Sequence, residues 1–529
     1  MALAIAVVYF AALIIVASLY SRKKVKTAED FANAGGGLGW IMVTFSFVLA
    51  PLGSGHTMSL WQKAAGAGGA ALGSYDISMF AAEGGAIGAG AMWWAIGAGA
   101  IFLPIAMLWI GPMYKRIGAP TAPGAIAAIF GKKLGWFHAA FQTMTWTGIG
   151  CSELVATGTA IWTLCNASGI GLTIYQAIII GFVLIVCYVF FGGMLQMAWL
   201  NCINAVVMLI ASYAAIAIIG VGYLKDLALA AGSDLGGWAY IHSLYEGVGY
   251  SAFLTQPGTL GLPPVWLGVI IPVIVLHVSA GAVSQTMMQP FFAAKDESAC
   301  RKGVFLGCGI NIMSSLPWIF LAIAAMAIPA VSSMVGANGI EAVPYIAQAG
   351  LPVPAIGLLM VALLSATLST GGGVVLANSN VIANDIIIGT VCPDASPKKK
   401  MTINRVCIII AAALLLPGAL IMAHEFVFNL FLWVFSFGMP VFVCLLIGYN
   451  WKVSRKAAWC TIIITYIIDC IWTFIPMPLP GVWSMNLYAT MVASVVLAVI
   501  FHLIFKGEPG WKKTHADTIK ANLEAMANK

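Results

Sequence analysis

Long apolar runs, separated by short polar or charged breaks, follow one another along most of the chain. Each run is about 20 residues long, which is the length an α-helix needs to cross a bilayer, and none shows the ten-residue alternation of a membrane β-strand. The pattern therefore predicts an all-α polytopic membrane protein with about thirteen transmembrane helices. These lie near residues 2–20, 38–62, 91–113, 135–165, 172–191, 197–223, 264–288, 303–329, 353–384, 402–422, 426–449, 457–476 and 484–505.

The composition excludes several classes of soluble protein. Of the 529 residues, 61% are hydrophobic and only 8% are charged, whereas soluble domains carry about 25% charged residues. Cytosolic enzymes and nucleic-acid-binding proteins are therefore excluded. Most of the 11 cysteines lie inside apolar runs, without the spacing of a metal site or of a disulfide framework.

The positive charges predict the orientation. The first helix has no basic residue before it and is followed by Arg22, Lys23 and Lys24, so it is a retained helix with its N-terminus outside. With that start, every Lys and Arg except Lys63 and Lys225 falls on the cytoplasmic side, as the positive-inside rule requires. We therefore expect a multi-pass cell-membrane protein with a cytoplasmic C-terminus.

Two predicted helices contain polar interruptions. In the second, Pro51 and two glycines lie within Ala50–Thr57 and weaken helical bonding, so that freed carbonyls are available to a cation. The seventh carries a similar stretch, His277–Ser284. The two helices are five apart in order, which favours a repeat of helices two to six and seven to eleven; a simple Pro kink in a packed bundle is the alternative.

The ninth predicted helix carries a cluster of hydroxyls, Ser365–Thr370, followed by three glycines. Hydroxyl and carbonyl oxygens are hard ligands that suit a small hard cation. The alternative is that these hydroxyls bond to carbonyls of their own helix, in a close contact between helices made by small residues.

From about residue 5 to 505, the chain resembles the sodium:solute symporter family, the relatives of sodium/proline, sodium/glucose and sodium/pantothenate carriers. The matching stretches are Thr27–Phe31, Ala34–Gly39, Gly192–Gly193, Ala198–Trp199, Gln289–Lys295, Leu368–Thr370 and Ser379–Asp385. The resemblance implies a five-plus-five inverted repeat core. The expected segments are an extra N-terminal helix and basic inner loop (1–26), a first repeat (27–224) with a Gly-rich insertion (64–90), an outer loop (225–262), a second repeat (263–451), two C-terminal helices (452–506) and a cytoplasmic tail (507–529) that forms a short surface helix.

The resemblance also implies a sodium site between the first and eighth core helices. The implied ligands are the carbonyls of Ala50, Gly53 and Ala366 and the hydroxyls of Ser369 and Thr370. Many relatives carry an Asp, linked to a second cation, where this chain has Asn201, and we therefore expect one sodium ion per cycle.

The solute is less constrained. The resemblance implies that residues after the first helix break, His56 and Thr57, line the substrate cavity. Trp146 and Glu153 lie on one face of the fourth helix, and an acid beside an indole attracts cations, including methylated ammonium; Phe428 and Trp433 would extend such a box. Ordinary aromatic packing is the alternative for most of these residues.

Together these patterns predict a sodium-coupled symporter, not an enzyme, that imports a small organic solute by alternating access, with a weak preference for an amine or methylated ammonium. Its partners are the solute, the sodium ion and the lipid bilayer, with no nucleic acid. The alternatives are a proton- or sodium-coupled carrier of an amino acid, small carboxylate or other neutral solute, and a solute sensor without transport.

Overall fold

The computed structural model describes residues 1–50, 52–53, 57–58, 61–62, 64–65, 105–247, 271–335, 339–423, 436–475, 477–479, 484 and 486–511. The predicted site residues His56, Phe428 and Trp433 lie outside this part of the chain, as do most of the Gly-rich segment 64–90 and the end of the tail.

The described residues are mostly helical, as the apolar pattern predicts. Within this described part of the chain, seven helices are long and apolar enough to cross a membrane. The α-helices run Ala2–Lys24, Ala28–Asn33, Trp40–Leu49, Gly111–Ile117, Ala122–Phe130, Lys132–Ala167, Ile174–Val189, Gly193–Val221, Tyr223–Ala230, Gly237–Gly247, Ile271–Val283, Gln285–Ala293, Glu297–Ala327, Pro329–Ser332, Ala342–Gly350, Val353–Asn380, Pro397–Ile421, Gly438–Asn450, Arg455–Phe474 and Asn486–Ile504. Short 3₁₀ and π segments occupy Ala34–Gly36, Ala106–Ile110 and Val381–Val391.

The first helix shows how these helices divide their surface between protein and lipid. Ala6, Phe10 and Ile14 recur every four residues and are buried, so they form one stripe that packs on the Val353–Asn380 helix. Val8 and Val16 are 66% and 65% exposed. An apolar side chain left outside the bundle is stable when lipid surrounds it.

Both helices predicted to be interrupted do break. The first ends at Leu49 after 10 residues, and the second restarts at Ser284, an extended residue whose hydroxyl caps the 9-residue helix Gln285–Ala293. The two ends that lie away from the breaks are paired, because the Leu38 amide donates to the Ala293 carbonyl at 2.9 Å. At 1.5 Å per residue both breaks lie about 14–15 Å from that pair, which is half the thickness of a bilayer core.

Basic loops predicted to share one side of the membrane lie at one end of the bundle. Arg22 stacks on Phe191, Arg405 lies over Phe31, Lys115 donates to the Ala294 carbonyl, and Arg116 pairs with Glu297. The Arg116–Glu297 distance is 2.7 Å, and this hydrogen bond raises the pKa of the Arg116 guanidinium. The loops after the first, third, fifth, seventh and ninth predicted helices therefore meet, as alternating spans require.

The chain after residue 451 packs as a helical hairpin, Arg455–Phe474 against Asn486–Ile504. Asp469 in its centre accepts hydrogen bonds from Ser436, Asn486 and Thr490 at 2.7–2.9 Å. This buried acid therefore holds three elements together. The tail begins as a two-residue strand, Glu508–Pro509, paired with Lys452–Val453, so the prediction of a surface helix was wrong for its first residues.

Candidate cation site

The hydroxyls of the Val353–Asn380 helix face the end of the first broken helix. The Thr370 hydroxyl donates to the Leu49 carbonyl at 2.7 Å, and the Ser369 hydroxyl lies 3.5 Å from the same oxygen. Leu49 is the last residue of Trp40–Leu49, and the last carbonyls of a helix lack partners within it. These carbonyls form the negative end of the half-helix dipole, so the structure brings a partial negative charge against two hydroxyls.

These groups offer several oxygen lone pairs at one place. The Ser369 hydroxyl also donates to the Ala366 carbonyl at 2.8 Å, and Ser369 and Thr370 are 1% and 3% exposed. A hydroxyl that donates its hydrogen keeps two lone pairs as acceptors. Oxygen donors of this kind, at the C-terminal end of a half-helix, suit a small hard cation.

The chain after Leu49 also turns polar groups inward. The Thr57 hydroxyl donates to the Gly53 carbonyl at 2.7 Å. Ala50 is 7% exposed and Thr57 is fully buried. Thr57 was predicted to line a substrate cavity. Its hydroxyl forms a hydrogen bond with the backbone at the break.

Glu153 brings a carboxylate directly onto this break. A Cβ atom placed on Gly53 would lie 2.3 Å from Oε2 and 2.4 Å from Oε1 of Glu153, so the carboxylate rests on the Gly53 Cα and no larger residue fits. On the other side, the Glu153 Cβ lies 3.5 Å from where a Cβ on Gly371 would stand. Glu153 is fully buried and is wedged between the two elements that carry the predicted sodium ligands.

Trp146 has different surroundings. It lines a cavity of about 20 Å³, room for a single water molecule. The cavity is lined by His138, Phe141, Gln142, Thr145, Trp146, Ala280, Val283, Ser284, Phe437, Gly438 and Tyr466. Glu153 lies seven residues further on, about 10 Å along the same helix. An aromatic box formed by Trp146 and Glu153 together therefore stays a prediction.

Asn201, which replaces the acid of many relatives, is engaged in a hydrogen-bond network. Its side-chain carbonyl accepts from the Tyr188 hydroxyl at 2.9 Å, Asn204 donates to that hydroxyl at 2.8 Å, and Tyr9 of the first helix donates to Asn204 at 2.7 Å. The network fastens the extra N-terminal helix to the core.

At the end of the bundle that carries the basic loops, buried side-chain amides join three segments of the chain. The Ala32 carbonyl accepts from Gln289 and from Asn380, both at 3.0 Å. Ala32 lies in a short helix capped by Thr27 and Asp30. Although burial raises the pKa of Asp30, the hydrogen bonds from Lys26 and Thr27 outweigh it and lower that pKa. Two stretches of the resemblance, Gln289–Lys295 and Ser379–Asp385, thus meet at one carbonyl, directly after a third stretch, Thr27–Phe31. We call Ala32, Gln289 and Asn380 the inner latch.

Sequence reasoning missed several of these residues. Leu49, an ordinary apolar residue, contributes through its backbone, which no side-chain pattern reveals. The Thr157 hydroxyl donates to the Glu153 carbonyl at 2.8 Å and lies 2.9 Å from the Thr367 hydroxyl. Thr157 is four residues after Glu153 and so lies on the same helical face, a spacing that the sequence alone shows.

Comparison with known proteins decides the family. The model of the sodium:solute symporter family matches residues 52–465. The chain belongs to the sodium:solute symporter family. A sodium/glucose cotransporter of Vibrio parahaemolyticus is 23% identical over 526 residues, which covers 93% of this chain and 88% of the relative. This symporter family consists of transporters, so the chain is a multi-pass membrane transport protein and not an enzyme.

Two solved structures show the fold. A sodium-coupled sialic acid symporter, in a substrate-bound outward-open state, matches with a TM-score of 0.75 at 16% identity, over 96% of this chain and 99% of that one. Mhp1, a nucleobase-cation-symport-1 family transporter, in a closed conformation with bromovinylhydantoin bound, matches with a TM-score of 0.55 at 14% identity, over 93% and 98%. This symporter therefore has the LeuT fold.

Proposed function

We propose that this symporter couples the entry of one sodium ion to the uptake of a small organic solute by alternating access. The observation that carries the proposal is the contact of Ser369 and Thr370 with the terminal carbonyl of a half-helix. The proposed ligands are the carbonyls of Ala50, Gly53 and Ala366 and the two hydroxyls. A single positive charge entering the cell releases about 2.3 kcal/mol per 100 mV of membrane potential, and the sodium gradient adds to it.

The proposed orientation is an outer N-terminus and a cytoplasmic C-terminus. Because the basic loops lie at one end of the bundle and positive charge is retained in the cytoplasm, that end is proposed to be cytoplasmic. The inner latch then closes the route to the cytoplasm, and its release lets solute and sodium leave.

Fewer contacts support the proposed solute class than support the sodium site. The sequence favours an amine or methylated ammonium through Trp146 and Glu153, and an amino acid, a small carboxylate or another neutral solute is the second candidate. The cavity beside Trp146 has room for a single water molecule, so its lining does not favour either candidate.

A screen of unfolding temperatures tests the coupling and the solute together. Amines, amino acids, carboxylates and sugars are added to the purified protein in sodium chloride or in choline chloride. A ligand that binds only the folded state raises the unfolding temperature, so the true solute should stabilise the protein more in sodium than in choline. Equal stabilisation in both salts, for every solute that binds, would contradict sodium coupling.

Loss of the inner latch should favour the inward-facing state. Asn380→Ala removes one donor to the Ala32 carbonyl, and we expect the buried Cys300 thiol at the same end to react several-fold faster with a maleimide, as measured by mass spectrometry of that peptide. Asn450→Ala is the control, because the Asn450 side chain donates to a carbonyl of its own helix, that of Leu446. Equal reaction rates in both variants would show that the latch does not govern opening.

A further inference from the structure

We propose that Glu153 is the fixed negative charge of the sodium site, and that this role replaces the contact with the solute that the sequence alone suggests for it. Its carboxylate balances the charge of the ion at the break of the first core helix. This inference rests on the proposed function, because it concerns the same cation site.

The first argument is position. The Glu153 carboxylate lies against Gly53, whose carbonyl is a proposed sodium ligand. The Glu153 Cβ lies against Gly371, next to Thr370, which supplies another. The acid is therefore held between the two halves of the proposed coordination shell, on a third helix that itself supplies no proposed ligand.

The second argument is charge. The proposed ligands are carbonyls and hydroxyls, all of them neutral, and the helix end contributes only a partial charge. Glu153 is fully buried, and taking either a cation or a carboxylate out of water carries a large desolvation cost. Placed close together, each offsets part of the cost of the other, so the site binds the ion more tightly with the acid than without it.

The third argument is register. The hydrogen bond from Thr157 to the Glu153 carbonyl, and the contact between the Thr157 and Thr367 hydroxyls, tie this turn of the Lys132–Ala167 helix to the turn that carries Ala366, Ser369 and Thr370. A short hydrogen-bonded link of this kind fixes the height of the carboxylate relative to the ligands. Trp146, the aromatic partner that a solute anchor would need, lies about two helical turns away.

The experiment measures sodium binding without transport. Sodium replaces choline at constant ionic strength on the purified full-length protein, and the sodium concentration that gives half of the full stabilisation is read from unfolding temperatures. Glu153→Gln keeps the shape of the side chain and removes its charge. We expect that half-maximal concentration to rise at least tenfold. Asp469→Asn, which changes another fully buried acid of a span, is the control and should leave the half-maximal concentration within about twofold of that of the unchanged protein.

The outcomes separate this inference from the proposed function. If Glu153→Gln binds sodium normally while the double change Ser369→Ala and Thr370→Ala weakens binding, the sodium site stands and the role of Glu153 is refuted. If neither Glu153→Gln nor the double change weakens sodium binding, the proposed sodium site and this inference are both wrong. If Glu153→Gln keeps the sodium response and loses stabilisation by a solute, Glu153 is a solute anchor and the inference is wrong.

A second variant decides the question if Glu153→Gln is not recovered folded. Glu153→Asp keeps the charge but withdraws it from Gly53 by one methylene. We expect sodium binding a few-fold weaker than in the unchanged protein, with solute affinity unaltered at saturating sodium. Normal sodium binding in Glu153→Asp, or a loss confined to the solute, would overturn the inference.

Discussion

Replacing Ser369 and Thr370 together by alanine is expected to raise the sodium concentration needed for half-maximal uptake by more than tenfold. The change removes two hydroxyl oxygens that lie 2.7 and 3.5 Å from the terminal carbonyl of a half-helix, in a site that is almost completely buried. The measurement is uptake into proteoliposomes at a series of sodium concentrations, with the solute identified by the stabilisation screen.

A matched control separates ligation from helix stability. Ser314 and Ser315 are also adjacent and buried, but their hydroxyls bond to carbonyls of their own helix, at 2.7 and 3.1 Å. The double change Ser314→Ala and Ser315→Ala should leave the sodium requirement unchanged. An unchanged requirement in the Ser369 and Thr370 variant as well would reject the proposed site.

Gly53→Ala should have a comparably large effect for a steric reason. The new methyl group would stand 2.3–2.5 Å from the carboxylate of Glu153, which has no exposed surface toward which to move. Overpacking of this kind costs about 1–3 kcal/mol, and displacement of the acid removes its charge from the break. We expect a lower unfolding temperature and sodium binding at least tenfold weaker, both read from the sodium titration.

Two further variants make this test specific. Gly39→Ala lies at the other end of the same half-helix, where a Cβ would meet nothing within 4 Å, and should behave like the unchanged protein. Adding Glu153→Asp to Gly53→Ala shortens the acid and should restore part of the stability, because residues in contact do not contribute independently. A Gly53→Ala protein with normal stability and normal sodium binding would show that the carboxylate is not confined against this glycine.

Much of this protein could be predicted from local pattern. The length and spacing of the apolar runs, the breaks near Ala50 and Ser284, and the hydroxyls of Ser365–Thr370 all follow from residues close together in sequence. Their physical basis is equally local: a span must be apolar over about 20 residues, and a proline or glycine loosens only its own turn.

The packing of distant helices was not predictable in this way. Glu153 and Trp146 share a helical face in the sequence, yet one rests on Gly53 and the other lines a separate cavity. The tail strand Glu508–Pro509 forms only because Lys452–Val453 lies beside it. Periodicity shows which face of a helix is buried, but it does not show which neighbour covers each turn of that face.

The sequence by itself therefore determined that this is a helical membrane transporter, where its helices break, and which hydroxyls are available to an ion. Only the tertiary structure decided that Thr370 meets the carbonyl of Leu49, 321 residues away, and that an acid from a third helix closes on Gly53. The physical reason is that a cation site of this kind uses backbone oxygens and a close approach of glycine. The local sequence does not show which element will approach a given carbonyl or glycine, because that is fixed only when the helices pack together.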